Sequence, residues 1–91
     1  MTDERWEHVV TQHPEMSGQR ERLLETIANP DLIQEGDYGA LLALRHYPQT
    51  PIGAKYLTVA YREANTGDGF VLTAYLTRRP SARRESIWKR Q

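Results

Sequence analysis

Apolar positions change their period partway along the chain. Near the start, Trp6, Val9 and Val10 recur at i, i+3 and i+4, and Leu23, Leu24 and Ile27 form a second stripe of helical spacing. Thr2 or Asp3 can cap the first helix, and acidic residues fill its first turn. Pro14 disfavours helical geometry at His13, so this helix should end near Gln12. Ser17 is a good cap residue for a second helix, although the residue three places on is Arg20 and the acid, Glu21, comes one place late for a capping box. Asn29-Pro30 then stops the second helix.

Beyond Pro30 the period falls to two. Asp31 to Gln34 is a short extended piece closed by a turn at Gly36-Asp37, and Ala40 to Tyr47 is an apolar, then mixed run ended by Pro48 and Pro51. Lys55 to Arg62 alternates, with Leu57, Val59 and Tyr61 on one side and Tyr56, Thr58, Ala60 and Arg62 on the other. Phe70 to Thr77 alternates again, so that Phe70, Leu72, Ala74 and Leu76 share one face while Val71, Thr73, Tyr75 and Thr77 share the other. Turn chemistry fills Glu63 to Gly69 between these two strands. Helices first and strands after predict an α+β domain over residues 1–77, two helices packed on a four-stranded antiparallel sheet. Residues 78–91 form a basic tail, either a frayed arm or a short C-terminal helix capped by Ser81 and carrying Ile87 and Trp88.

Composition narrows the classes. A chain of 91 residues holds one domain with one small core. It has no cysteine, which excludes disulfides, thiolate metal sites and a thiol nucleophile, and fits a reducing cytoplasm. No apolar run reaches the length of a membrane span, and the acidic, polar start does not read as a secretory signal. Twelve basic residues balance twelve acidic ones, yet the balance hides a division. Met1 to Asp37 carries three basic residues against nine acidic, a net of minus six, whereas Tyr38 to Gln91 carries nine against three, a net of plus six. Such asymmetry points toward nucleic acid or a membrane surface.

Candidate chemistry is sparse. A Gly-rich phosphate loop, a nucleophile elbow and a zinc-binding His-Glu-x-x-His pattern are all missing. His8 and His13 lie about 140° apart around an ideal helix and would not share a metal; neither a metal nor a cofactor is expected. The remaining groups suit phosphodiester chemistry on RNA, which without a metal needs a base for the 2′-hydroxyl, an acid for the leaving oxygen and cations for the phosphorane. Histidines 8, 13 and 46 can transfer protons, Arg45, Lys55 and Arg62 are cations on the strands, and Thr73 and Tyr75 project together from the last long strand. Plainer readings stand beside these. His13 can end a helix by bonding its last carbonyls, Thr73 and Tyr75 are ordinary strand residues, and Lys55 and the arginine-rich tail can simply be solvated.

Four segments carry a more specific signal. Trp6-Glu7-His8-Val9-Val10-Thr11-Gln12-His13-Pro14-Glu15 is similar to a W-x-H-I-x-x-x-H-P-E opening, and Asn29-Pro30-Asp31 resembles the close of a second helix. Lys55 to Val59 resembles a K-x-L-x-V strand, and Phe70 to Tyr75 resembles a final strand ending in T-A-Y. In this order they resemble the phage-associated barnase, EndoU, colicin and RelE-like nuclease families, whose toxin-like domains share one α+β fold. The resemblance covers about Trp6 to Thr77. It implies a metal-free endoribonuclease with catalytic positions on His13, Lys55, Thr73 and Tyr75, with His8 matching too and an antitoxin or immunity protein as partner.

The expectation is therefore general base catalysis by His13, charge stabilisation by Lys55 and Arg45, and positioning of the scissile phosphate by Thr73 and Tyr75, with Tyr75 also the candidate acid. His8, Arg45, Arg62, Arg78 and Arg79 would hold the RNA. The rival is a non-catalytic module of the same fold that binds protein or nucleic acid through its charged faces, since a fold does not fix a function.

Overall fold

The computed structural model of the chain describes residues 1–63 and 69–91. Helix α1 spans Asp3–Gln12, a single 3-10 turn spans Pro14–Met16, and α2 spans Arg20–Ala28. Five strands follow, β1 Leu32–Glu35, β2 Leu41–Tyr47, β3 Lys55–Glu63, β4 Gly69–Thr77 and β5 Ser86–Lys89. The turn expected over Glu63 to Gly69 falls on 64–68, outside the described residues.

Local chemistry explains the helix ends. Thr2 is the cap of α1, and its hydroxyl accepts a hydrogen bond from the Arg5 amide at 3.1 Å. Asn29 closes α2 by donating its amide to the Glu25 carbonyl. The start expected at Ser17 is displaced. Ser17 instead closes the 3-10 turn by donating to the Pro14 carbonyl, and Gly18, at φ +78°, reverses the chain in the left-handed region. Helix α2 consequently begins at Arg20 with Gln19 ahead of it.

All strand pairs are antiparallel, in the spatial order β4-β3-β2-β1-β5. Strands β1 to β4 form the expected meander, and β1 and β2 are joined through Tyr38 and Gly39, both at positive φ as a tight hairpin turn requires. The expected four-stranded sheet is corrected to five strands, and the C-terminal helix to a strand. Ser86–Lys89 pairs with β1, placing Trp88 opposite Ile33. Ser81 caps no helix; its carbonyl accepts from Gln34 Nε2 at 2.9 Å.

Both helices cover one face of the sheet, α1 over β4 and α2 over β3 and β2. Val9, Met16 and Leu23 pack there against Tyr47, Leu57, Val59, Val71, Ala74 and Leu76, with Trp6 and Ile27 at the margin. A strict alternation along β4 would have put Leu72 in this cluster in place of Val71. The register slips between Ala60 and Tyr61, so that Ala60 faces Thr73 while Tyr61 faces Val71. The extra residue, Leu72, joins a second cluster on the opposite face with Leu42, Leu44 and Ala60, beside Leu32 and Tyr56. Because β4 and β5 are opposite edges, the chain between them crosses that second face, pinned where buried Gln34 holds Ser81.

Candidate functional site along the β4 edge

Strand β4 is an edge strand, and its free side meets the junction of α1 with the 3-10 turn. His13 is the residue that leaves α1. Its amide donates to the Val9 carbonyl at 2.7 Å while its backbone turns out of the helix at φ −132°. The main chain thus ends the helix, leaving the imidazole to face β4. Its ring lies 5.6 Å from the Tyr75 ring, centroid to centroid, at an interplanar angle of 40°. Tyr75 starts from the second face, opposite Thr58. With no neighbouring strand beyond β4, its ring can reach around the edge to the histidine.

Glu15 completes the group. Pro14 starts the 3-10 turn and so brings Glu15 back beside His13, with Oε2 3.8 Å from the imidazole Nδ1. The same oxygen accepts from the Leu76 amide at 3.5 Å, one of the edge groups that no strand pairs. His13 and Glu15 are both partly exposed, with side chains 34% and 23% accessible. An imidazole, a carboxylate and a phenol therefore share an open edge, a combination able to move protons on and off a bound substrate.

Thr73 lies two residues before Tyr75, opposite Ala60 on the second face. Its Oγ1 is buried and has no hydrogen-bond partner, and Oγ1 of Thr58, its diagonal neighbour, is in the same condition. Arg78 and Arg79 follow β4 directly and are exposed. Four expected residues fall elsewhere. His8 is exposed on α1 in a separate hollow with Arg5 and Phe70. Lys55 opens β3 opposite Tyr47, at the same end of the sheet as Tyr75 but on the side of Leu57, with no bond to His13 or Tyr75.

Arg45 does not serve this edge either. Its guanidinium bonds the Asn29 carbonyl at 2.7 Å and Glu25 at 3.4 Å, so it is spent joining β2 to the end of α2. Arg62 donates to the Tyr38 carbonyl at 2.7 Å and holds the β1–β2 turn. Two groups were missed from sequence. Glu15 was visible only as the last letter of the H-P-E motif. Arg84 lay in an apparent tail, yet it bonds Asp37 and the Glu35 carbonyl. Its pKa is pushed up, first by the hydrogen bond with Asp37 and more weakly by the nearby Tyr75.

The charge division of the sequence takes a definite form. Arg45, Arg84 and Arg90 are each paired with an acid of the first half, Glu25, Asp37 and Asp31 respectively. Among the described residues Arg78, Arg79 and Arg83, which lie close together in sequence after β4, make no ion pair, and neither do Arg5, Arg22, Lys55, Arg62 and Lys89 elsewhere. Among the described residues no helix is long and apolar enough to cross a membrane. Comparison of the chain with models of known families, with curated proteins and with solved structures returned no match.

Proposed function

We propose that this domain is a metal-independent endoribonuclease whose active centre is the β4 edge. The observation that carries the reading is the meeting of His13 with Tyr75 and Glu15, three titratable side chains from separate turns and a strand. His13 takes the proton of a ribose 2′-hydroxyl. The freed oxygen attacks the adjacent phosphorus, the bond to the 5′-oxygen breaks, and Tyr75 returns a proton to that leaving oxygen. The products are a 2′,3′-cyclic phosphate and a 5′-hydroxyl end. Glu15 lies 3.8 Å from the imidazole Nδ1, outside hydrogen-bond reach, and acts on the ring through its charge. Arg78 and Arg79, exposed where the chain leaves β4, are assigned the phosphorane charge in place of Arg45, which is committed to α2. Thr73, whose Oγ1 is buried without a hydrogen-bond partner, is not assigned a contact to the phosphate.

Purified chain incubated with mixed RNA in excess chelator tests the reading. Cleavage to cyclic-phosphate ends, lost in His13→Ala and Tyr75→Phe, is expected. Salt-sensitive RNA binding without cleavage would favour the non-catalytic module, in which the free arginines of residues 78–83 act alone. An antitoxin or immunity protein belongs to the same reading and would cover this edge.

A further inference from the structure

Strand β4 and helix α1 run in the same direction, so the groove between them has two ends. His13 and Tyr75 occupy one end. The other is a hollow of about 520 Å³ lined by Met1, Thr2, Glu4, Arg5, His8, Phe70 and Val71. We propose that this hollow is a nucleobase subsite that holds a base upstream or downstream of the cleaved bond and prefers bases bearing an exocyclic amine; the proposal rests on the nuclease reading of the β4 edge.

Three features favour a base over a phosphate. Phe70 is the chain's only phenylalanine and is 50% exposed, where burial would be the default for so apolar a ring. The Arg5 guanidinium lies over that ring, 5.1 Å from its centroid, so a flat apolar platform and a flat cation already stack and leave an outer face for a third planar group. Glu4 on the wall repels phosphate, but its carboxylate accepts from an amine such as cytosine N4. Thr2 Oγ1 already takes the Arg5 amide, which removes one of the donors that the helix N-terminus could offer an anion. His8, at the same wall, is placed to donate to a base oxygen or nitrogen.

Phe70 and Tyr75 are five residues apart on one strand, about 15 Å. One nucleotide cannot span that length, whereas a single strand of several can. Titrating cytidine and uridine monophosphates into the full chain, with the Phe70 ring followed by NMR, tests the subsite directly. Cytidine monophosphate should shift the ring resonances and bind about fivefold more tightly than uridine monophosphate. The preference should vanish in Glu4→Gln, whose amide both donates and accepts. In cleavage, Phe70→Ala should raise KM for a hexanucleotide about tenfold with kcat unchanged, and leave a dinucleotide unaffected.

Phe70 resonances unmoved by either nucleotide would overturn the subsite whether or not the protein cleaves RNA. Equal affinity for the two nucleotides would overturn the role of Glu4. Phe70 shifts in a protein that cleaves no RNA would keep the subsite and remove the nuclease reading. Shifts that persist in catalytically dead His13→Ala are expected if both stand.

Discussion

The two edges of the sheet face the same physical problem and solve it differently. An edge strand presents unpaired amides and carbonyls that invite another chain. At β4 the Leu76 amide is taken by Glu15, delivered by the 3-10 turn, and His13 arrives with it against Tyr75. At β5 the edge is short, slips register against β1 between Ile33 and Gln34, and carries Lys89. Both devices blunt an edge. Only the first gathers proton-transferring groups, so covering an edge with polar side chains also built the candidate site, while covering one with a bulge and a lysine built none.

Under the proposed nuclease reading, the sharpest division between the edges lies in catalysis. His13→Ala should lower the RNA cleavage rate by about 10²- to 10⁴-fold, the usual worth of a general base, because its backbone, which ends α1, is unchanged. Urea unfolding of this variant should stay within about 0.5 kcal/mol of the parent. A Trp88→Ala variant that lost as much cleavage as His13→Ala would abolish the distinction between the edges.

Stability should divide the other way. Gln34 is 3% exposed, and its amide is what ties the crossing chain to the sheet through Ser81. Gln34→Ala deletes that donor and leaves the carbonyl of exposed Ser81 to water, a loss of about 0.5–1.5 kcal/mol. Cleavage measured well below the melting transition should be unaffected. If unfolding is unchanged, the crossing segment is not fastened where the geometry puts its fastening.

The elements that the sequence disclosed are those whose signal is local. Thr2 and Pro14 bracket α1, Asn29 ends α2, and alternation marks β3 and β4 within a residue or two. Strand β5 was not readable in this way. Ser86–Lys89 is too short for a period, and it is a strand only because β1 lies beside it. The bulge at Leu72 was likewise hidden, since an inserted residue is visible only against the partner strand. For the site, residue type and motif named His13, Thr73 and Tyr75 as candidates, of which the fold brings His13 and Tyr75 together. It could not exclude Arg45, whose commitment to Asn29 and Glu25 depends on how α2 lies over the sheet. Glu15 was passed over because its role depends on β4 being an edge.

Alkaline stability should depend on neither edge but on the interior between them. Tyr47 has its pKa raised above the ordinary 10.0, first by burial and then by its hydrogen bond to Glu25, and burial raises Tyr61 as well. The folded state therefore holds these protons more tightly than the unfolded chain does. Their contribution is complete below pH 10 and is lost as pH rises through the raised folded values. Tyr47→Phe should flatten the fall of melting temperature with pH above 10. An unchanged slope in Tyr47→Phe would show that the alkaline loss arises elsewhere.

The smallest effect tests whether the two duties of Glu15 separate. Glu15→Gln keeps an oxygen able to accept from the Leu76 amide and removes the charge beside the imidazole. At 3.5 Å that edge hydrogen bond is long, so unfolding should shift by less than about 0.5 kcal/mol. Cleavage, in contrast, should fall about tenfold, because an amide steadies an imidazolium less well than a carboxylate. Glu15→Ala removes both functions, and the further stability it loses reports the edge hydrogen bond alone. Equal cleavage in the parent and the Gln variant would leave Glu15 as an edge cap and nothing more. The β4 edge would then match β5 in purpose, and His13 with Tyr75 would have to carry the chemistry unaided.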